Sequence, residues 1–356
     1  MTEIACAAVD TASRPVSTRP LATVVIVNFN YGEFLAAAID SALGQTYRPL
    51  EVIVVDDGST DESRKIIATY GARIKAIFQE NYGQGAAYNS GWAAATGEVV
   101  LFLDSDDVLK RTAIARVVQE FEGNDAVKVQ FYLEQVDRRL LSTGFLLPAY
   151  AFSDISPRKQ IANYGYYVSP PASGNAFRKD FLDSIMPIRD VERYRRAADG
   201  YTTGLAGVAG AVRSISEPLA AYRLHGKNAG GLSGVKTLAQ LHHMFMRDIK
   251  REDTQHEVGK RFNFHFLADR SRFCPGHTKF RLLSRRLDPK AHPISADTIS
   301  HLVWSGLASA FAFPHLTWRK RLLVAMGFVA LGIVPGRLLR AYAEALFSPK
   351  QINKAV

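Results

Sequence analysis

Short runs of β-branched and aliphatic residues, each closed by a cluster of Asn, Asp, Ser and Gly, constrain this chain more than any other feature. Thr23-Val24-Val25-Ile26-Val27 breaks at Asn28-Phe29-Asn30-Tyr31-Gly32, and Leu50 to Val55 breaks at Asp56-Asp57-Gly58-Ser59-Thr60-Asp61-Glu62. Glu98-Val99-Val100-Leu101-Phe102-Leu103 runs into Asp104-Ser105-Asp106-Asp107. Unbroken apolar runs of this length suit parallel strands buried on both faces. Between them, Glu33 to Leu43 sets Phe34, Ala38 and Ala42 one helical turn apart beside Leu35 and Ile39, with Gly44 as the stop. Ser59 or Thr60 is placed to cap a following helix with Glu62. Ile74 to Gln79 reads as a third strand, then a Gly83-Gln84-Gly85 turn and an Ala-rich helix from about Ala86 to Ala95; Val108 to Phe121 reads as helix. The alternation predicts an α/β fold, an open, mostly parallel twisted sheet flanked by helices, with ligands at the carboxyl ends of the strands.

With 356 residues, 47% hydrophobic and 22% charged, the chain is longer than most single domains, so one domain plus an appendage is expected. Cys6 and Cys274 stand far apart with no Cys/His cluster, which excludes a zinc-finger or disulfide scaffold and fits a reducing cytoplasmic setting. Residues 1–20 carry no signal-peptide pattern and read as a disordered lead. The net charge of +10 is uneven. From Lys236 onward there are 20 Lys/Arg against 8 Asp/Glu, and before it 24 against 26. The expected division is therefore a lead over 1–20, a slightly acidic domain over 21–235 and a basic helical extension over 236–356.

Asp104-Ser105-Asp106 sits at a strand end, where paired carboxylates hold Mg²⁺ or Mn²⁺, hard ions that also take phosphate oxygens. Alone such a triplet serves as often as a turn or cap. Its company narrows the choice. Val24 to Asn30, Ser41-Ala42-Leu43-Gly44-Gln45-Thr46, Val54 to Asp61 and Phe102 to Asp107, bridged by Asn81-Tyr82-Gly83-Gln84-Gly85 with Ala87, Asn89 and Gly91, resemble in order the signatures of family 2 glycosyltransferases of GT-A fold. They cover about the first third of the chain.

The resemblance implies transfer of a sugar from a nucleotide diphosphate, UDP above all, to a glycan or lipid-linked acceptor, with a divalent cation. By it Asp57 accepts a hydrogen bond from the base, a role that an Asx-turn at the same residue does not exclude. Asp104 meets ribose or metal, Asp106 is the firmest metal ligand, Val27, Phe29, Asn30 and Gln84 border the nucleotide, and Asp56 is structural. Further along, Tyr164 to Asn175 is an aromatic, Pro-rich loop, and Ser173-Gly174-Asn175 before Phe177-Arg178 resembles the family's acceptor-side block. Asp199 resembles the catalytic base of an inverting transfer, although many relatives have Glu-Asp where this chain has Ala198-Asp199, and it also suits a plain N-cap. Glu217 to Asn228 resembles the closing segment of the catalytic domain; there Arg223 and Lys227 are candidates for the diphosphate, and His225 for the metal or for a structural role.

In the basic extension, Leu238, Leu241, Met244 and Phe245 share a helical face, and Phe262, Phe264 and Phe266 recur. The apolar runs Leu302 to Leu316 and Leu322 to Val334, flanked by Trp318-Arg319-Lys320-Arg321 and by Arg337 and Arg340, fall short of a membrane span. They suit helices lying on the inner face of the cytoplasmic membrane, or a soluble cap or dimer surface. No nucleic-acid motif accompanies the charge, so nucleic acid is not an expected partner. Two rival classes remain: a non-catalytic sugar-nucleotide scaffold, which the intact Asp57, Asp104, Asp106 and Asp199 oppose, and a nucleotidyltransferase, whose Gly-rich loop after the first strand is missing.

Overall fold

The computed structural model describes residues 19–164, 167–226, 228, 257–264, 275–313 and 316–346. Strand β1 (Ala22–Asn28) pairs in parallel with β2 (Leu50–Asp57) and β4 (Val99–Asp104), and β2 with β3 (Lys75–Gln79). Helices α1 (Gly32–Leu43), α2 (Ser63–Thr69) and α3 (Gln84–Ala94) connect them. Successive strand residues face opposite sides of a sheet, so both faces of these strands must be covered. Val24, Ile26, Leu101 and Leu103 pack with Leu35 and Ile39 of α1. Val25, Val100 and Phe102 pack with Ala87 and Tyr88 of α3 on the other face, where the Tyr88 and Phe102 rings stack 4.0 Å apart.

Past β4 the sheet changes character. In chain order follow β5 (Val108–Leu109), α4 (Ala113–Phe121), β6 (Lys128–Val136), β7 (Ser142–Leu147), α5 (Pro157–Tyr164), β8 (Asn175–Arg178), α6 (Lys179–Ile185), α7 (Asp199–Ala209) and β9 (Val212–Arg223). The strand order is β3-β2-β1-β4-β8-β6-β9-β5, with β7 on β6. Strand β8 lies antiparallel to both β4 and β6, β7 antiparallel to β6 and β5 antiparallel to β9, while β6 and β9 pair in parallel, so beyond the parallel run β3-β2-β1-β4 the sheet is mixed. That half was not foreseen, because no helical crossover pattern separates β6 from β7.

Two local expectations are corrected. Val108 to Phe121 is not one helix: Val108 and Leu109 are captured by Ala221 and Ala220 of β9, and the Lys110 N–H donates to the Leu219 carbonyl. Ser59 and Thr60 do not cap α2, whose cap position is Glu62, because the Ser59 hydroxyl is engaged by the loop after β1. The lead before residue 19, the 235/236 boundary, Cys6, Cys274, Phe266 and the stretch holding Leu238 to Phe245 lie outside the described residues.

The extension contributes α8 (Pro275–Leu287), α9 (Ile299–Ala312), α10 (Trp318–Ile333) and α11 (Gly336–Leu346). Leu282, Leu302 and Phe328 form one small core, and Phe280, Leu283, Leu339 and Ala343 another. Buried Asp297 accepts from Arg281 of α8 and pairs with the His292 ring at 3.0 Å, fixing the turn before α9. Thr298 then caps α9 by accepting from the His301 N–H. Among the described residues no helix is long and apolar enough to cross a membrane.

Helix α3 lies close to β1 because Gly91 has no side chain: a Cβ there would meet Val25 Cγ1 at 2.3 Å. Gly91→Ala is therefore expected to cost about 1–3 kcal/mol by overpacking, read as a lower denaturation midpoint at unchanged m-value.

Candidate active site

The loops following β1, β2, β3 and β4 meet at one edge because the strands are parallel and in register, with Asn28 opposite Asp56 and Val27 opposite Asp104. Asn28, fully buried, donates from Nδ2 to Asp56 at 3.0 Å and to the Ser59 hydroxyl at 3.1 Å. Ser59 accepts in turn from the Asn30 N–H, and Asn30 Oδ1 accepts from the Thr60 N–H at 2.7 Å. Asn30 holds φ 57°, a left-handed conformation that Asn tolerates. Asp56 also receives Arg64 at 3.1 Å and is buried, the structural role expected of it. Partial burial opposes ionisation of Asp61, but hydrogen bonds from Ser63 and from the Gly32 N–H prevail and hold its carboxyl below the ordinary value.

Asp57 organises the next layer. Its Oδ1 accepts from Gln79 Nε2 at 2.7 Å and from the Tyr82 N–H at 3.1 Å, and its Oδ2 from the Gly83 N–H at 2.8 Å. Gly83 sits at φ +90°, where a Cβ would be 2.4 Å from Arg195 Cγ. Helix α3 starts against this segment, with the Gln84 and Gly85 N–H groups donating to the Arg195 and Tyr194 carbonyls. Gln84 then points two ways: its Nε2 donates to Asp104 Oδ1 at 3.3 Å, and its Oε1 accepts from the Ala198 N–H at 2.9 Å. Phe29 is exposed at the rim and Val27 is partly so.

Asp104, Asp106 and Asp107 bring carboxylate oxygens within 4.8 Å of one another. Burial first, and the neighbouring carboxylates second, push Asp104 and Asp107 well above the ordinary value. Tyr31 is raised to about 12 by burial and then by Asp106 and Asp104. His225 approaches Asp106 with Nε2 2.8 Å from Oδ2, and its ring lies 4.7 Å from Phe34 and 5.3 Å from Tyr31. Arg223, 6% exposed, lays its guanidinium 4.9 Å from the Phe34 ring centre, and its Nε and Nη2 find no hydrogen-bond partner among the described residues. Such orphaned buried donors are uncommon and costly.

Asp199 is the first residue of α7, partly exposed, following Ala197 at φ 61°. Ala198 occupies the cap position, so the N-cap reading of Asp199 is corrected. A carboxylate in the first turn is still favoured by the helix dipole. Ser173 and Asn175 are turned inward, against the expectation that they touch a ligand. The Ser173 hydroxyl donates to Asp107 at 2.7 Å and accepts from the Asp104 N–H at 3.1 Å. The Asn175 amide donates to the carbonyls of Pro170, Pro171 and Ala172. Lys227 and the Gly165-Tyr166 pair lie outside the described residues.

Two residues escaped the sequence reading. Asp107 looked like the tail of the triplet, but it is the buried anchor that also accepts from the Arg223 N–H at 3.1 Å. Lys128, fully buried in β6, donates to Gln130, Tyr167 and Ser169 at 2.8–3.0 Å, and burial depresses its pKa. The signal was faint: Lys128 and Gln130 are polar residues two apart, on one face of a strand, beside the apolar Val129 and Phe131.

Residues 23–182 match the family described as glycosyl transferase family 2. The uncharacterized glycosyltransferase alr2836 of Nostoc sp. is 40% identical over 213 residues, 58% of this chain and 65% of that protein. Chondroitin synthase of Escherichia coli is 33% identical over 138 residues, 37% of this chain and 20% of that protein. The chain thus spans 65% or less of either relative's length. The crystal structure of S. aureus TarS in complex with UDP aligns at a TM-score of 0.50 and 17% identity over 91% of each chain, which establishes a shared GT-A fold.

Removing the Ser173 hydroxyl leaves a buried Asp107 oxygen and the Asp104 N–H each one partner short. Ser173→Ala is expected to lower stability by about 1–3 kcal/mol, measured by chemical denaturation.

Proposed function

We propose, from the match of residues 23–182 to glycosyl transferase family 2, that this protein transfers a sugar from a nucleotide diphosphate donor, a UDP-sugar, to a glycan or lipid-linked acceptor. The setting is bacterial exopolysaccharide or cell-surface glycan synthesis, in the cytoplasm at the inner face of the membrane. One observation carries the reading: three clustered carboxylates that call for a cation lie near a buried guanidinium whose Nε and Nη2 find no acceptor among the described residues. A divalent cation chelated by a diphosphate satisfies both.

Asp104 and Asp106 would hold the cation, with Asp107 beneath them fixed by Ser173 and by the Arg223 N–H. When bound, Mg²⁺ or Mn²⁺ offsets charge on the leaving diphosphate. His225 fixes one oxygen of Asp106 and leaves the other for a ligand, so its part is first to orient Asp106 and only then to ligate. Arg223 donates to diphosphate oxygens, Asp57 accepts the imide N–H of the base, and Val27, Phe29, Asn30 and Gln84 line the nucleotide side. Asp199 takes the proton of the acceptor hydroxyl as that oxygen bonds to the anomeric carbon and the bond from that carbon to the diphosphate oxygen breaks. A single displacement of this kind inverts the anomeric centre and needs no covalent enzyme intermediate. UDP leads the donor classes because S. aureus TarS was solved with UDP and with UDP-GlcNAc.

The test is nucleotide release from UDP- and GDP-sugars with Mn²⁺, Mg²⁺ or EDTA, in the presence of glycan acceptors. Turnover is expected to vanish in EDTA and in Asp106→Asn. Asp199→Asn is expected to lose about 10²–10⁴-fold in kcat while keeping UDP affinity, and Arg223→Met to weaken UDP far more than uridine. Turnover that survives EDTA and Asp106→Asn, or a protein that binds no nucleotide, overturns the proposal; binding without turnover in every variant points to a scaffold.

A further inference from the structure

Among the described residues, helices α9 and α10 leave an apolar face uncovered. On α10, Trp318, Leu322, Met326, Val329 and Ile333 recur at helical spacing as a single stripe, and all are between 43% and 77% exposed. On α9, Trp304 and Phe311 are 71% and 51% exposed. A groove of about 750 Å³ joins the two helices, lined by Val303, Trp304 and Leu307 from one and by Val329, Gly332 and Ile333 from the other. Exposed aromatic and aliphatic residues in this number mark a surface made to be covered.

Charge says what covers it. Residues 299–346 contain Arg319, Lys320, Arg321, Arg337 and Arg340 against one acid, Glu344. Three of the five fill the first turn of α10, where the helix dipole disfavours cations, and Arg337 and Arg340 begin α11. Arg321 donates to the Leu316 and Phe313 carbonyls, whereas Arg319, over the Trp318 ring, and Lys320 remain exposed. Cations set against the dipole, next to an open apolar stripe, match a partner that is anionic outside and hydrocarbon within.

We propose that α9, α10 and the start of α11 form a docking face for an anionic lipid leaflet. The helices lie in the plane of the interface with Trp304 and Trp318 at head-group depth, the stripe of α10 at the acyl boundary and an acyl chain in the groove. Arg319, Lys320, Arg337 and Arg340 meet lipid phosphates. The inference gives residues to the membrane setting of the transferase reading and rests on it only for the place of work, since lipid binding is read without donor or acceptor.

The experiment is flotation of the full chain with phosphatidylcholine vesicles, with and without phosphatidylglycerol. The chain is expected to float with the anionic vesicles and to be released by salt. Arg319→Glu/Lys320→Glu should lower the partition at least about tenfold, and Met326→Glu/Ile333→Glu should abolish it. UDP affinity serves as the fold control in each variant. Equal partition onto neutral vesicles, or unchanged flotation of both variants, overturns the proposal. So does a dimer that Met326→Glu/Ile333→Glu splits in sedimentation velocity, for then a second copy covers the face. Flotation without any nucleotide binding leaves the docking face standing and removes the transferase reading.

Discussion

Everything at the candidate site depends on the in-register parallel pairing of β1 with β2 and β4. Because Asn28 stands opposite Asp56 and Val27 opposite Asp104, polar clusters from distant parts of the chain reach one edge at one height. The buried interior of these strands leaves no freedom of register: a slip by one residue would carry Val24 and Ile26 to the wrong face. The packing of two cores on opposite faces of the sheet is thus what sets the spacing of the carboxylates.

That edge is electrostatically expensive as it stands. Asp104 and Asp107 resist ionisation beside Asp106, while Arg223 is buried with no partner among the described residues for two of its nitrogens. Structural ion pairs would have been arranged to cancel such costs locally. Here the carboxylates turn to Ser173, His225 and backbone groups, and the guanidinium rests on Phe34. Perturbed groups gathered at one sheet edge are the physical mark of a candidate binding site.

The parallel half of the fold was legible because each strand is a run of apolar residues ended by turn chemistry: Asp57 and Asp104 close two of those runs, Asp106 lies two residues beyond the second, and Gln84 opens the helix after the third strand. The mixed half was not, since β5 exists only through its pairing with β9, a contact more than a hundred residues away. Ser173 and Asn175 were misplaced for a related reason. Sequence marks a polar loop, but whether its side chains face outward or knit the loop to Asp107 and Pro170 depends on neighbours it cannot show. Lys128 is buried by the same long-range packing, between the loop at 167–169 and the strand that carries it.

The amide of Gln84 has a thermodynamic consequence. One end holds Asp104, at the close of β4, and the other the Ala198 N–H, just before Asp199 opens α7. The two contacts share one rotamer, so whatever holds Asp104 still also restrains the start of α7, and linkage makes the restraint mutual, equal in free energy from either end. Order at the end of a strand and order at the start of a helix far along the chain become a single degree of freedom.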